Sequence, residues 1–356
     1  MDLLPKEIVS LILDAMDDPS SAVLVNSTWR DAWFDCTNFW RETHVPNVGA
    51  CKVLERVRCD VDTMIVDDGV SDPRDIVRVL NACPPYESLD VYSFCDDEVV
   101  KVVRESITSL RLTMLDASAL LRHRTFDRLE TLYLFGIERS LRSTDIPQSV
   151  KILAVYGSFS ATLDEPLSAI ERMTLHSDGG QMIVDVSSVP SATYIFVVGS
   201  FVDVICSDAA ANSSVMDLYI DASFFDSSRL FDRLPNLVRC SFTDGIIPDV
   251  LPASLETLSI SIKHAVEQRP FVDWSAFSNL KSAMLHNVRC RSIQFPDSIC
   301  DVVFRRCIIL SVSVPYFYLC FRIMWEATIR IDHERRKVFF RDASVIMPID
   351  DIAEEL

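Results

Sequence analysis

The sequence predicts an α/β fold: a solenoid built on a parallel sheet, with an irregular or short-helical return side, preceded by a small all-α module. Three observations predict it. A short apolar pattern recurs at a near-constant step from about Val61 to about Arg306. The residues ahead of it follow a helical period instead. Glycine is scarce, with eight residues where average usage gives about 25, which removes glycine-rich phosphate loops from consideration.

The recurring pattern is apolar-x-x-apolar-x-apolar. It reads Val61-x-x-Met64-x-Val66, Tyr86-x-x-Leu89-x-Val91, Ile107-x-x-Leu110-x-Leu112 and Leu129-x-x-Leu132-x-Leu134. It continues as Val150-x-x-Leu153-x-Val155, Ile170-x-x-Met173-x-Leu175, Ala192-x-x-Ile195-x-Val197 and Val215-x-x-Leu218-x-Ile220. The last four are Leu237-x-x-Cys240-x-Phe242, Leu255-x-x-Leu258-x-Ile260, Leu280-x-x-Ala283-x-Leu285 and Ile299-x-x-Val302-x-Phe304. Successive starts are 18 to 25 residues apart. One such pattern is cheap to find by chance; twelve at this step are not.

Each unit offers one short strand whose last two apolar residues point to the same side. A single unit cannot bury them, but stacked units form a parallel sheet with a continuous core. An apolar-Pro-x-Ser-apolar lead-in recurs at Ile146 to Val150, Leu251 to Leu255 and Phe295 to Ile299. Its proline cannot donate to a ladder and belongs in the loop entering the strand. Gly157-Ser158-Phe159 and Gly199-Ser200-Phe201 share an offset, and each phenylalanine is expected to turn back into the core. Gly179-Gly180 after Asp178 reads as a turn.

These units resemble leucine-rich repeats, whose period is about 20–29 residues. The wording from Pro252 to Ile260 is similar to the FNIP-type subclass. The resemblance implies a leucine-rich-repeat solenoid whose sheet face holds a protein ligand. The asparagine that usually follows the strand is replaced, by Gly69, Ile137, Ser158, Asp178, Ser200 and Cys307 among others.

Return segments change along the chain. Asp72 to Leu80 reads as a helix with Asp72 as N-cap and Pro73 in its first turn. Asp96 to Glu105 is a second helical segment. Later returns are shorter and richer in Ser, Asp and Pro, and are expected to be turns or single helical turns. Glu326 to Asp342 reads as a β-hairpin placed to cover the open sheet edge.

At the N-terminus Ile8, Leu11, Ile12 and Ala15 have helical spacing, and Pro5 suits the first turn. Asp17-Asp18-Pro19 ends that helix, and a second follows around Val23 to Phe34. Leu4-Pro5-x-Glu7-Ile8-x-x-x-Ile12-Leu13, then Leu24-Val25-x-x-x-Trp29-Arg30-Asp31, then Phe39-Trp40-Arg41, resembles the F-box. The stretch between Pro19 and Trp29 is shorter than the family's. The resemblance implies the substrate-recognition subunit of a Skp-cullin-F-box type ubiquitin ligase. Leu4, Pro5, Ile8, Ile12, Leu13, Leu24, Val25 and Trp29 would then face a Skp-type adaptor, which connects to the cullin scaffold. The alternative is a leucine-rich-repeat interaction scaffold whose N-terminal helices only cap the first repeat. The expected organisation is an F-box-like helical module over 1–46, about twelve repeats over 47–320 and a C-terminal cap over 321–356.

The net charge of −18 disfavours phosphate-backbone binding, which needs clustered Lys and Arg. No apolar run is long enough for a membrane helix, and the first residues carry no secretory pattern. The eleven cysteines contain no C-x-x-C pair, and several lie in apolar runs as buried thiols do. Together these predict a cytoplasmic or nuclear protein in a reducing compartment, with no membrane, nucleic-acid or cofactor partner. The six histidines form no metal-binding spacing, and no nucleophile elbow or P-loop occurs, so no catalytic residue is assigned. The Asp-Asp pairs read as caps and solvated loops. If the register holds, the x positions line the concave face, where Tyr133, Phe135, Tyr156, His176, Tyr194, Phe196 and Tyr219 form the expected substrate-binding stripe. A register one residue off would turn them inward.

Overall fold

Each of the twelve apolar motifs carries a strand that begins at or two residues after its first apolar residue. The computed structural model describes residues 41–57, 59–123, 125–207, 214–225, 230–245, 251–262, 271–314, 317–323, 326–332, 337–341 and 346–348. The chain divides into two units, residues 1–157 and 158–356.

In the first unit, strands β1 (Glu42–Val45), β2 (Val61–Val66), β3 (Tyr86–Phe94), β4 (Ser109–Thr113), β5 (Thr131–Ile137) and β7 (Ile152–Gly157) pair in that order, all parallel. A two-residue strand, β6 (Leu141–Arg142), precedes β7. Strand β1 lies inside the stretch that the sequence reads as helical. The expected register holds residue for residue: Met64, Leu89, Leu110, Leu132 and Leu153 are aligned, and so are Val66, Val91, Leu112, Leu134 and Val155. All ten are buried, each gaining about 1.5–3 kcal/mol relative to exposure.

Among the described residues, four helices return behind this sheet: α1 (Cys51–Leu54), α2 (Pro73–Ala82), α3 (Asp97–Val102) and α4 (Ala119–His123). Helix α2 starts as the sequence indicates. The Asp72 carboxylate accepts from the Arg74 N–H at 2.8 Å, and Pro73 occupies the first turn. Ile76, Val79 and Leu80, at helical spacing, form its buried face. Asp96 caps α3 by accepting from the Glu98 and Val99 amides at 3.0 and 3.1 Å.

The second unit contains β8 (Ala161–Leu163), β9 (Arg172–Asp185), β10 (Tyr194–Ile205), β11 (Asp217–Phe225), β12 (Arg239–Gly245) and β13 (Thr257–Ser261). It continues with β14 (Phe271–Asp273), β15 (Ser282–His286), β16 (Arg289–Gln294), β17 (Asp301–Arg305) and β18 (Ile308–Val314). The last are β19 (Phe317–Ile323), β20 (Glu326–Asp332), β21 (Lys337–Arg341) and β22 (Ile346–Pro348). The repeat strands β9, β10, β11, β12, β13, β15 and β17 form a parallel run. Strands β20 and β21 then join antiparallel beside β17. Here Met173, Ile195, Leu218, Cys240, Leu258, Ala283 and Val302 align, as the motif requires.

The return side of this unit differs from the expected turns. Strands β14, β16 and β18 form a second parallel sheet, completed antiparallel by β19 and β22. An extended return needs few residues. The step from Leu280 to Ile299 is 19 residues. A six-residue strand covers about 20 Å at roughly 3.3 Å per residue, whereas six helical residues cover about 9 Å. The 19-residue unit is thus long enough to return as β16.

Two more expectations change. Phe159 is buried, but Phe201 is 69% exposed. Strand β10 runs on through a register shift between Gly199 and Phe201, so alternation turns Phe201 outward and Val202 inward. Gly179-Gly180 is no chain reversal either, because β9 passes through it. Gly180 adopts φ 87°, and a Cβ there would lie 2.6 Å from the Phe159 carbonyl oxygen.

The Pro-x-Ser lead-in is a turn with a second purpose. The Pro147, Pro252 and Pro296 carbonyls accept from the amides of Val150, Leu255 and Ile299. The serine then reaches the preceding unit: Ser149 Oγ donates to the Phe126 or Leu129 carbonyl, Ser254 to Leu237 and Ser298 to Leu280, all at 2.7–2.8 Å. Turn carbonyls outside the ladder are satisfied this way.

At the asparagine position, Ile137 is buried, and the Cys307 thiol donates to the Leu285 carbonyl at 3.2 Å. Asn287 takes a related role one residue earlier. It adopts φ 57°, and its Nδ2 donates to the Ile262 carbonyl at 2.6 Å. Cys51, Cys59, Cys83, Cys95, Cys206, Cys240, Cys290, Cys300 and Cys307 are free thiols. Burial pushes Cys83, Cys95 and Cys290 up to about 12, where they stay protonated small hydrophobes.

Candidate functional site

The face opposite the core carries alternate strand residues, and all seven side chains of the expected stripe stand there half-buried. They fall into separate groups. In the first unit Tyr133 lies opposite Arg111, and Phe135 opposite Thr113. Phe135 and Tyr156 stack with ring centroids 4.9 Å apart and planes within 4°. The Arg111 guanidinium sits 4.7 Å from the Phe135 ring and 4.8 Å from the Tyr92 ring. A run Tyr92, Arg111, Phe135, Tyr156 therefore crosses the strands, held by cation–π and π-stacking contacts.

Tyr92, Phe94 and Arg111 are not among the expected site residues. Tyr92 and Phe94 are 45% and 41% exposed. A sequence signal exists for two of them: Tyr92 follows Val91 at the offset by which Phe135 follows Leu134, and Arg111 stands between Leu110 and Leu112 as Tyr133 stands between Leu132 and Leu134. Phe94 gains its place from a register shift between Val91 and itself, which the pattern does not reveal.

In the second unit Tyr194 lies opposite Asp217, and Phe196 opposite Tyr219. The Tyr219 ring is 5.6 Å from Tyr194 and 6.2 Å from Phe196, both tilted by about 40°. Arg172 lies 5.1 Å over Tyr194. Beside this cluster Arg239 closes on Asp217 with a two-bond fork, its second bond 2.6 Å long. His176 Nε2 lies 3.6 Å from the Asp178 carboxylate.

Charged groups elsewhere serve the fold. Burial works to raise the Asp185 and Asp116 carboxyls, but hydrogen bonds outweigh it and hold both below the ordinary carboxylate range. For Asp185 the donors are Ser187 and Ser207; for Asp116 they are Ser118 and Arg139. His44 is raised by its hydrogen bond to Glu42 at 3.1 Å, with Asp67 adding to the effect. Among the described residues no three His, Cys, Asp or Glu side chains converge as a metal site. No described helix is long and apolar enough to cross a membrane. His286 Nδ1 lies 3.1 Å from Ser261 Oγ on neighbouring strands of an open face, with no third group among the described residues to orient the ring.

The expected adaptor residues Leu4, Pro5, Ile8, Ile12, Leu13, Leu24, Val25 and Trp29 lie outside the described residues. No family model matches the chain, and no curated protein matches it.

Proposed function

We propose that this chain is the substrate-recognition subunit of a Skp-cullin-F-box type ubiquitin ligase. It binds a protein substrate through the outer faces of its leucine-rich-type repeat sheets. The observation that carries the reading is the coexistence of two features in one chain. The sequence pattern that runs from Leu4 and Pro5 through Trp29 to Trp40 precedes repeat strands whose aromatic side chains stand in register and half-exposed. Aromatic groups held on rigid strands supply contact area at low entropic cost, which suits protein recognition. The helical spacing of apolar residues that the sequence carries ahead of them suits docking on an adaptor.

The test is co-purification of the full chain with a Skp-type adaptor. Ile8→Arg combined with Ile12→Arg should abolish adaptor binding, as should removal of residues 1–40. The cut stops there because β1 belongs to the sheet. No binding by the intact chain, or binding that survives both changes, would leave a repeat scaffold whose N-terminal helices are only a cap. Tyr133→Ala, Tyr156→Ala and Tyr219→Ala together should abolish substrate capture and leave adaptor binding intact. Unchanged capture would remove the face assignment.

A further inference from the structure

We propose that the outer face of the first unit receives an amphipathic helix that brings one basic and one acidic side chain, a turn apart, onto Asp90 and Arg111. The inference rests on the protein-recognition reading and names the chemistry of the partner segment.

Asp90 and Arg111 are directly opposite each other on the parallel strands β3 and β4. Asp217 and Arg239 are directly opposite in the same way on β11 and β12, and they close into a fork. Asp90 and Arg111 do not. The Tyr92 and Phe135 rings hold the guanidinium between them, and neither side chain makes a hydrogen bond among the described residues. Both groups are half-buried. Arg111 thus keeps its fork of N–H donors, and Asp90 its acceptor oxygens, for a partner. Burial without a hydrogen bond raises the Asp90 carboxyl above its ordinary value, while Arg111 opposes that shift. A basic group over Asp90 and a carboxylate over Arg111 would supply the missing charge-assisted bonds. A partner with two like charges would meet one of the pair in repulsion.

Spacing selects a helix. Neighbouring strands lie about 4.7–4.9 Å apart, so Asp90, Arg111 and Tyr133 form a row with that step. A helix laid across the strands rises about 4.5 Å over three residues, 6 Å over four and 10.5 Å over seven. An extended segment places same-side residues about 6.6 Å apart and loses register over the row. The segment we infer is therefore basic-x-x-acidic, or the same with one more spacer. An apolar residue seven positions from the basic one would rest on Tyr133. The exposed rings of Tyr92 and Phe94 provide apolar contact alongside.

The probes are fluorescent designed helices of about 20 residues, long enough to be helical, with one leucine stripe. They differ only at the two test positions: Lys/Glu, Lys/Lys, Glu/Glu or Gln/Gln. Anisotropy with the intact chain should show the Lys/Glu helix binding about tenfold tighter than each of the others. Arg111→Gln and Asp90→Asn should each remove that preference, whereas Arg239→Gln, in the second unit, should keep it. Four equal affinities, no binding by any helix, or a preference that survives Arg111→Gln would overturn the proposal. Tyr133→Ala with Phe135→Ala separates the two levels. Loss of all four helices, with charge identity irrelevant, would keep the recognition face and remove the charge pairing. No effect from either set would remove both.

Discussion

In the first unit the step from Val61 to Tyr86 is 25 residues, and the ten-residue helix α2 fits behind the sheet. In the second unit the step from Leu280 to Ile299 is 19 residues, and β16 comes straight back behind β15. The sheet-forming motif is the same in both. The cores behind it are not. Behind the first sheet lie aliphatic helix residues such as Ile76, Val79, Val99 and Leu120. Behind the second lie large rings: Trp274 is edge-on to Phe295 at 5.6 Å, and Phe295 to Phe304 at 6.4 Å. A helix brings its own thickness to the layer it fills. Two facing sheets stand about 10 Å apart and must be bridged by side chains alone. The difference teaches that two apolar positions per unit set the register, while the return is free to be helix or strand: the 25-residue units that start at Val61 and at Leu255 close with α2 and with β14.

The sharpest way to break this contrast is to empty each core. Trp274→Ala should cost about 3–5 kcal/mol and Ile76→Ala about 2–5 kcal/mol, with the tryptophan loss the larger. Denaturant unfolding of the intact chain checks it. Equal losses would mean that return type does not govern dependence on a single side chain. Next comes the device shared by both units. Ser149→Ala and Ser298→Ala should each cost about 1–2 kcal/mol by orphaning turn carbonyls. A loss in one unit alone would show that the serine bridge serves only one return type. Asp96→Ala removes the α3 cap and should cost about 1 kcal/mol. Hydrogen exchange should quicken at Val99 and Val100 and stay unchanged in the second unit.

The smallest expected effects are electrostatic and lie in the first unit. The folded-state value of Asp116 is depressed, so its contribution is present above the unfolded carboxylate range and lost as pH falls through the depressed value. Asp116→Asn should therefore flatten the acid limb of a stability–pH profile. Asp90 has the opposite sign. Its raised value favours folding at low pH, and that advantage is lost as pH rises through it. Asp90→Asn should slightly raise the melting temperature near neutrality, with the gain fading as pH falls into the ordinary carboxylate range. A melting temperature lowered at neutral pH would mean that Asp90 is satisfied within the fold.

The register, the inward and outward alternation, and the caps at Asp72 and Asp96 are legible in the sequence because each depends on neighbours a few positions away. So is the turn made by Pro-x-Ser. The placement of Tyr133, Phe135, Tyr156, Tyr194, Phe196 and Tyr219 on the outer face follows from period two alone. Phe201 is not legible in this way. Its environment depends on whether β10 stops or runs on, and that is decided by the pairing of its second half with β9. Asn287 escapes the pattern because it lies one residue before the expected position, at a left-handed site that Arg306 shares in the next unit.

The short-range pattern is enough to specify a parallel sheet of repeated strands, since alternation is a property of the extended chain. It could not say whether Arg111 would bond Asp90 or stack between Tyr92 and Phe135. Those three partners come from the strands on either side of Arg111, about twenty residues before or after it in the chain. They meet only when the register brings them within a few ångströms. Folding also determined that the later returns would be strands, because each is held by pairing with neighbouring returns, as β16 is with β14 and β18.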